Sequence, residues 1–143
     1  METGTGRVAA LDYGQVRIGL AVSDELGLLA HPRPFVPAQP LDRALREVRL
    51  LVQREGVTHI LLGLPLSLDG KEGLAAGRAR KFGRALAERI DVPIEFVDER
   101  LSTVGASALL REAGHDARGA RGRIDSASAA LLLQTWLDGR RSR

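Results

Sequence analysis

The chain has 143 residues, 44% of them apolar and 27% charged, with no cysteine and a formal net charge of +3. That length supports one domain with one real core and is too short for two ordinary ones, so residues 1–143 are read as a single domain with frayed ends at 1–6 and 140–143. A disulfide framework and a thiolate metal site are excluded, and no apolar stretch approaches the length of a membrane span.

In chain order, RVAALDY (7–13) and VRIGLAVS (16–23) are short apolar runs separated by Gly14-Gln15, which predicts a two-stranded hairpin. The Pro-rich stretch HPRPFVPAQP (31–40) leaves room for a short third strand around Phe35-Val36, at an edge or in a loop. Residues 41–55 place Leu41, Leu45, Val48, Leu51 and Val52 at helical spacing, and Gly56 follows as a C-cap. THILLGL (58–64) is the continuous apolar run of a central parallel strand, stopped by Pro65. A second helix is predicted over 74–90, a strand over 94–98, a helix over 103–113 and a last helix over 124–138. Between the last two lies GHDARGARGR (114–123), rich in Gly and Arg. Three antiparallel strands followed by crossover units give an α/β fold: a mixed five-stranded sheet with helices on both faces. That is the element order of ribonuclease-H-like folds.

Three acids fall at the ends of these elements: Asp12 closing the first strand, Glu99 just past the last strand and Asp125 opening the last helix. Sites in α/β sheets gather at strand ends. Carboxylates brought together there repel one another unless a divalent cation neutralises them, and oxygen ligands suit Mg²⁺ or Mn²⁺ better than Zn²⁺. Each acid has an ordinary alternative. Asp12 could serve the turn at Tyr13-Gly14. Asp125 could be a plain N-cap. Asp98 and Glu99 are adjacent, only one can face a given spot, and alternation alone does not choose between them.

The charge is carried mostly by arginine, crowded into Arg78–Arg84, Arg111–Arg123 and Arg140–Arg143, with only Lys71 and Lys81 as lysines. This fits a phosphate-binding surface, and a GC-rich coding bias fits it equally. Aromatic residues make up only 3% of the chain, which argues for backbone and shape contacts rather than base stacking. Phe96 and Trp136 are expected in the core, and His59 in a structural role. The N-terminus METGTGRVAA has no secretory pattern, so a cytoplasmic location is the default expectation.

The segments LDYGQVRIGLAVSD (11–24), GLPLSLDGKEG (63–73) with RARKF (78–82), VDERLST (97–103) and IDSASAALLLQTWL (124–137) resemble the YqgF/RuvX family, in order over nearly the whole chain. That family has a ribonuclease-H-like fold and is related to the resolvase RuvC. Its members are described as nucleases that mature the 5′ end of pre-16S rRNA, and some as Holliday-junction resolvases. The resemblance implies a metal-dependent nuclease in which Asp12, Glu99 and Asp125 are catalytic and hold two Mg²⁺ or Mn²⁺ ions. It also implies substrate contacts at Gly14, Arg17, Lys71, Arg80, Arg100, Ser102 and Thr103. Arg118, Arg121 and Arg123, just before Asp125, would add charge beside the site. Arg80 also reads as a solvated helix face, and Ser102 and Thr103 as caps. Gln15-Val16 stands where the family commonly has Thr-Lys, which removes one basic contact at the first turn. The implied partner is pre-rRNA ahead of DNA junctions, with the ribosome precursor as a further partner and no membrane. A junction resolvase would act as a two-fold homodimer, and no dimer face is visible in the sequence. Two other readings stand beside these: an actin-like ATPase fragment, which would need a second domain and phosphate loop, and a non-catalytic nucleic-acid-binding module.

Overall fold

β1 (Arg7–Tyr13) and β2 (Arg17–Ser23) form the expected antiparallel hairpin, closed where the Gly14 N–H donates to the Arg17 carbonyl at 3.0 Å. The computed structural model describes residues 6–67, 69–102 and 126–141. A Cβ on residue 14 would lie 2.8 Å from the Arg17 carbonyl oxygen, so this tight turn requires glycine. β3 (Ala30–Pro37) is longer than the Phe35-Val36 core expected of it. It tolerates Pro32 and Pro34 because it is the edge strand and pairs with β2 alone.

α1 (Leu41–Glu55) has the expected bounds and buries Ala44, Leu45, Val48, Leu51 and Val52. It ends at Gly56, whose φ of 66° lets its N–H reach the Val52 carbonyl. β4 (Val57–Leu64) is the central parallel strand, with residues 60–64 all buried. α2 (Leu74–Ala87) stops short of the expected 90, because the Glu88 and Arg89 N–H groups bond the Ala85 and Leu86 carbonyls in a tightened last turn. β5 (Ile94–Asp98) runs into a 3₁₀ turn, Glu99–Ser102. α3 (Ala127–Arg141) starts later and ends later than the expected 124–138. The expected helix over 103–113 and the Gly/Arg-rich segment 114–123 lie outside the described residues.

The sheet order is β3-β2-β1-β4-β5, with β1 parallel to β4 and β4 parallel to β5. Leu11, Ile18, Ile60 and Leu62 face the layer of α1 and α2, together with Val48, Phe82 and Leu86. Val8, Ala10, Ala21 and Leu61 face α3, packing with Ala129, Leu132, Leu133 and Leu137. Each large aliphatic side chain buried in these layers contributes roughly 1.5–3 kcal/mol relative to exposure. Phe96 and Trp136, expected in the core, pack against its two layers at the margin and are partly buried; the Arg80 guanidinium lies over Phe96, and Trp136 stacks on His59 with Arg140 over its ring. His59 also meets Glu95 at 3.2 Å.

Candidate active site

The parallel strands β1, β4 and β5 end along one edge of the sheet, and their register fixes which side chains meet there. Leu11 pairs with Leu62, Leu62 with Phe96, and Leu64 with Asp98. Ala10, Leu61 and Val97 belong to the α3 face, so Asp12, Gly63 and Glu99, each two residues on, follow them to that face. Asp98, in phase with Phe96, turns the other way.

The contacts agree with this phase. The Glu99 carboxyl is hydrogen-bonded to Asp12. Burial first, then that bond, then the charges of Asp12 and Asp98 push it up to about 9. Asp98 instead grips Arg100, with Nε to Oδ1 at 3.1 Å and Nη2 to Oδ2 at 2.7 Å, and also accepts the Arg100 N–H at 2.9 Å. The Arg100 guanidinium holds the Asp98 carboxyl below its ordinary range. The adjacent acids thus have different partners: Glu99 meets Asp12, and Asp98 meets Arg100.

Gly63 is a residue the sequence reading missed. A Cβ there would lie 2.6 Å from Glu99 Cγ and 2.8 Å from its Cδ, so the Glu99 side chain crosses β4 through space only glycine leaves. The signal was present, since a lone glycine inside the run ILLGL marks a close approach. Gly63→Ala is therefore expected to displace Glu99 from Asp12 and reduce cleavage about 100-fold, as ångström-scale misplacements do. Single-turnover kinetics beside a thermal melt check this, and a variant with wild-type rates would show that the Glu99 path does not matter.

The described basic residues expected to touch substrate each have a near neighbour in the fold. Arg80 makes a forked pair with Glu72, both bonds 2.7 Å, while lying 4.7 Å from the Phe96 ring centre. Arg17 is exposed and lies 5.2 Å from the Phe35 ring centre. Lys71 is exposed, 4.0 Å from Asp69, in a loop whose Asp69 accepts from Ser67 and from the Lys71 N–H. Asp69 is near enough to Arg100 for each charge to favour the other's ionised form. Ser102 ends the 3₁₀ turn. Thr103, Arg118, Arg121, Arg123 and Asp125 lie outside the described residues.

A second missed residue is Arg78. Gln15, with its carboxamide oxygen turned towards Arg78, accepts from that guanidinium at 3.0 Å. A charge from α2 therefore stands beside the first turn, where the sequence reading expected one basic contact to be missing. Only the tertiary packing of α2 against the hairpin reveals this.

The donor set at Asp12 and Glu99 fits a hard divalent ion. Both ligands are carboxyl oxygens within hydrogen-bonding reach, and burial, then the bond to Asp12, favours a proton on Glu99 that a cation would displace. Among the described residues, no group of three His, Cys, Asp or Glu side chains gathers to hold a metal.

A mixed sheet in the order β3-β2-β1-β4-β5, helices on both faces and an acid pair at the ends of β1 and β5 define a ribonuclease-H-like protein. The solved structure of Thermus thermophilus RuvC in complex with a Holliday junction substrate superposes with a TM-score of 0.61 over 95% of this chain and 96% of that one, at 18% identity. A Fowlpox virus resolvase with Holliday junction DNA gives 0.58 over 94% and 98%, at 9% identity. These likenesses concern the fold. A family model described as "RuvX: Holliday junction resolvase" matches residues 6–139. A protein of Anaeromyxobacter sp. named "Putative pre-16S rRNA nuclease" is 43% identical over 134 residues, spanning 94% of this chain and 98% of that protein. One of Synechococcus sp. with the same name is 44% identical over 132 residues, 92% of this chain and 78% of that protein. The chain belongs to the RuvX family.

Proposed function

We propose that this protein is a divalent-metal-dependent nuclease that hydrolyses phosphodiester bonds, and that its substrate is the 5′ leader of a 16S rRNA precursor. The observation that carries this reading is the Asp12–Glu99 carboxyl pair at the end of the parallel strands. Relatives named for pre-16S rRNA support the choice of RNA. Asp12 and Glu99, with Asp125, are the residues that would hold two Mg²⁺ or Mn²⁺ ions. Bound there, the ions supply Lewis-acid stabilisation of the phosphoryl oxygens in an in-line displacement.

The chain's own residues do the rest. Gly14 lets backbone approach a phosphate closely. Arg17, Lys71, Arg80 and Arg100 offset phosphate charge, with Arg118, Arg121 and Arg123 adding to it, and Ser102 and Thr103 offer hydroxyls. Arg80 and Arg100 are held by Glu72 and Asp98, which orients each guanidinium before substrate arrives. The ribosome precursor is the partner in this reading and the cytoplasm its location. No described helix is long and apolar enough to cross a membrane.

The family's description favours a second reading, a Holliday-junction resolvase acting as a homodimer on DNA. Purified protein is to be tested on a precursor 5′ leader, single strands and a four-way junction, with Mg²⁺, Mn²⁺ or chelator. Cleavage of the leader that chelator abolishes is the expected result. Paired symmetric cuts in the junction alone would establish the second reading, and binding without cleavage under every condition would leave a non-catalytic module.

Arg78 belongs to the binding surface in this reading. Arg78→Ala is expected to weaken RNA binding several-fold and to lower the slope of log affinity against log salt by about one, the signature of one lost phosphate contact. A salt titration of binding checks it. An unchanged slope would place Arg78 off the RNA path.

A further inference from the structure

The register of β2 on β3 breaks at one place. Ile18 pairs with Val36, but Leu20 pairs with Arg33, so the two strands are out of step around Gly19. On its other side Gly19 is the partner of Asp12 in β1. The irregularity therefore sits directly across from the first acid of the site.

A side chain from the far end of the sequence fills this break. The Ser126 hydroxyl accepts the Leu20 N–H at 3.1 Å and donates to the Arg33 carbonyl, joining across the gap two backbone groups that belong to neighbouring strands. Ser126 is 0% exposed. Its own carbonyl accepts the Ala130 N–H at 2.9 Å, so it is the residue from which α3 starts. A serine at a helix start commonly turns its hydroxyl back onto its own first turn. Here both bonds of the hydroxyl run to the sheet. α3 also packs against the 3₁₀ turn that begins with Glu99.

We infer that Ser126 is a positioning residue for the nuclease site: it pins the start of α3 to the β2 irregularity opposite Asp12 and so fixes where Asp12 meets its metal. This rests on the nuclease reading above. Removing the hydroxyl leaves the Leu20 N–H and the Arg33 carbonyl without that partner at the one place where β2 and β3 are out of step. The β2 backbone across from Asp12 is then free to shift.

Ser23 provides a matched control. It is also on β2, 1% exposed, and its hydroxyl accepts the Val8 N–H at 2.9 Å and donates to the Asp24 carbonyl, but at the end of the strand away from the site. Ser126→Ala and Ser23→Ala both lose a buried hydroxyl, so both should lower the thermal midpoint by a few degrees. Mn²⁺ binding by calorimetry and single-turnover cleavage then separate them. Ser126→Ala is expected to bind Mn²⁺ at least ~10-fold more weakly and to cleave ~100-fold more slowly, with RNA affinity held within about twofold. Ser23→Ala should match wild type in all three. Ser126→Cys puts a bulkier, weaker hydrogen-bonding thiol in place of the hydroxyl and carries the same comparison at a temperature where it is folded. If the Ser126 variants bind Mn²⁺ and cleave as Ser23→Ala does, the hydroxyl is structural only and the inference falls while the nuclease reading stands. A wild-type protein that neither binds Mn²⁺ nor cleaves overturns the nuclease reading, and this inference with it.

Discussion

Asp12→Asn is expected to abolish cleavage, a loss of at least ~10³-fold in single-turnover rate, while RNA affinity stays equal or rises slightly. The side chain is replaced by one of the same shape, so the hairpin and its Gly14 turn are undisturbed. What is lost is a charged oxygen ligand at the centre of the acid pair. The variant also removes one of the charges that raise Glu99, leaving burial as the main cause. Because nearby arginines rather than Asp12 would hold the phosphates, binding survives and its salt dependence should be unchanged. Filter binding and gel-resolved cleavage on the same RNA decide the matter. A variant that still cuts would remove Asp12 from the chemistry, and one that neither cuts nor binds would make its role architectural.

The second large effect is on stability as a function of pH. In the unfolded chain Glu99 titrates near the ordinary 4.5, and in the folded metal-free protein it is pushed up to about 9. Below the unfolded value both states carry the proton and Glu99 contributes nothing to pH dependence. Between the two values the unfolded chain binds fewer protons than the folded one, so stability falls as pH rises, and the loss is complete above the folded value. Glu99→Gln removes this penalty. Its thermal midpoint is expected to equal that of wild type near pH 4.5 and to exceed it increasingly towards pH 9, by at least ~3 °C at pH 8. Cleavage should be lost at the same time. Mg²⁺ should raise the wild-type midpoint at pH 8 and leave the variant nearly unmoved. Parallel melting curves for the two proteins across this range would show that Glu99 is not held protonated.

The site was partly legible in the sequence, and the limit has a physical form. β1, α1 and β5 were readable with the same bounds because their signals are local: apolar runs, helical spacing and a glycine stop at Gly56. The mixed five-stranded sheet followed from their order. β3 was read too short because its prolines argue against a strand, and only its place at the edge of β2 makes them harmless. Asp12 was visible at the end of its run. The choice between Asp98 and Glu99 was not, because it depends on which face of the sheet α3 covers. Gly63, Arg78 and Ser126 were missed for the same kind of reason. Each acts on a residue distant in sequence: Glu99, Gln15, and the pair Leu20 and Arg33.

The attachment of α3 sets a schedule for assembly. Ser126 bonds Leu20 and Arg33, and further along the helix Gln134 accepts the Ala30 N–H and donates to the Leu28 carbonyl, spans of about a hundred residues. Such contacts close late, after the intervening chain has been ordered. A chain leaving the ribosome N-terminus first can pair β1 with β2 early, but Val8, Ala10, Ala21 and Leu61 wait for residues 127–141 to cover them. Until then Asp12 and Glu99 lie at an edge without its roof. An enzyme built this way is expected to gain its cutting power only after residues 127–141 have emerged and docked on the sheet.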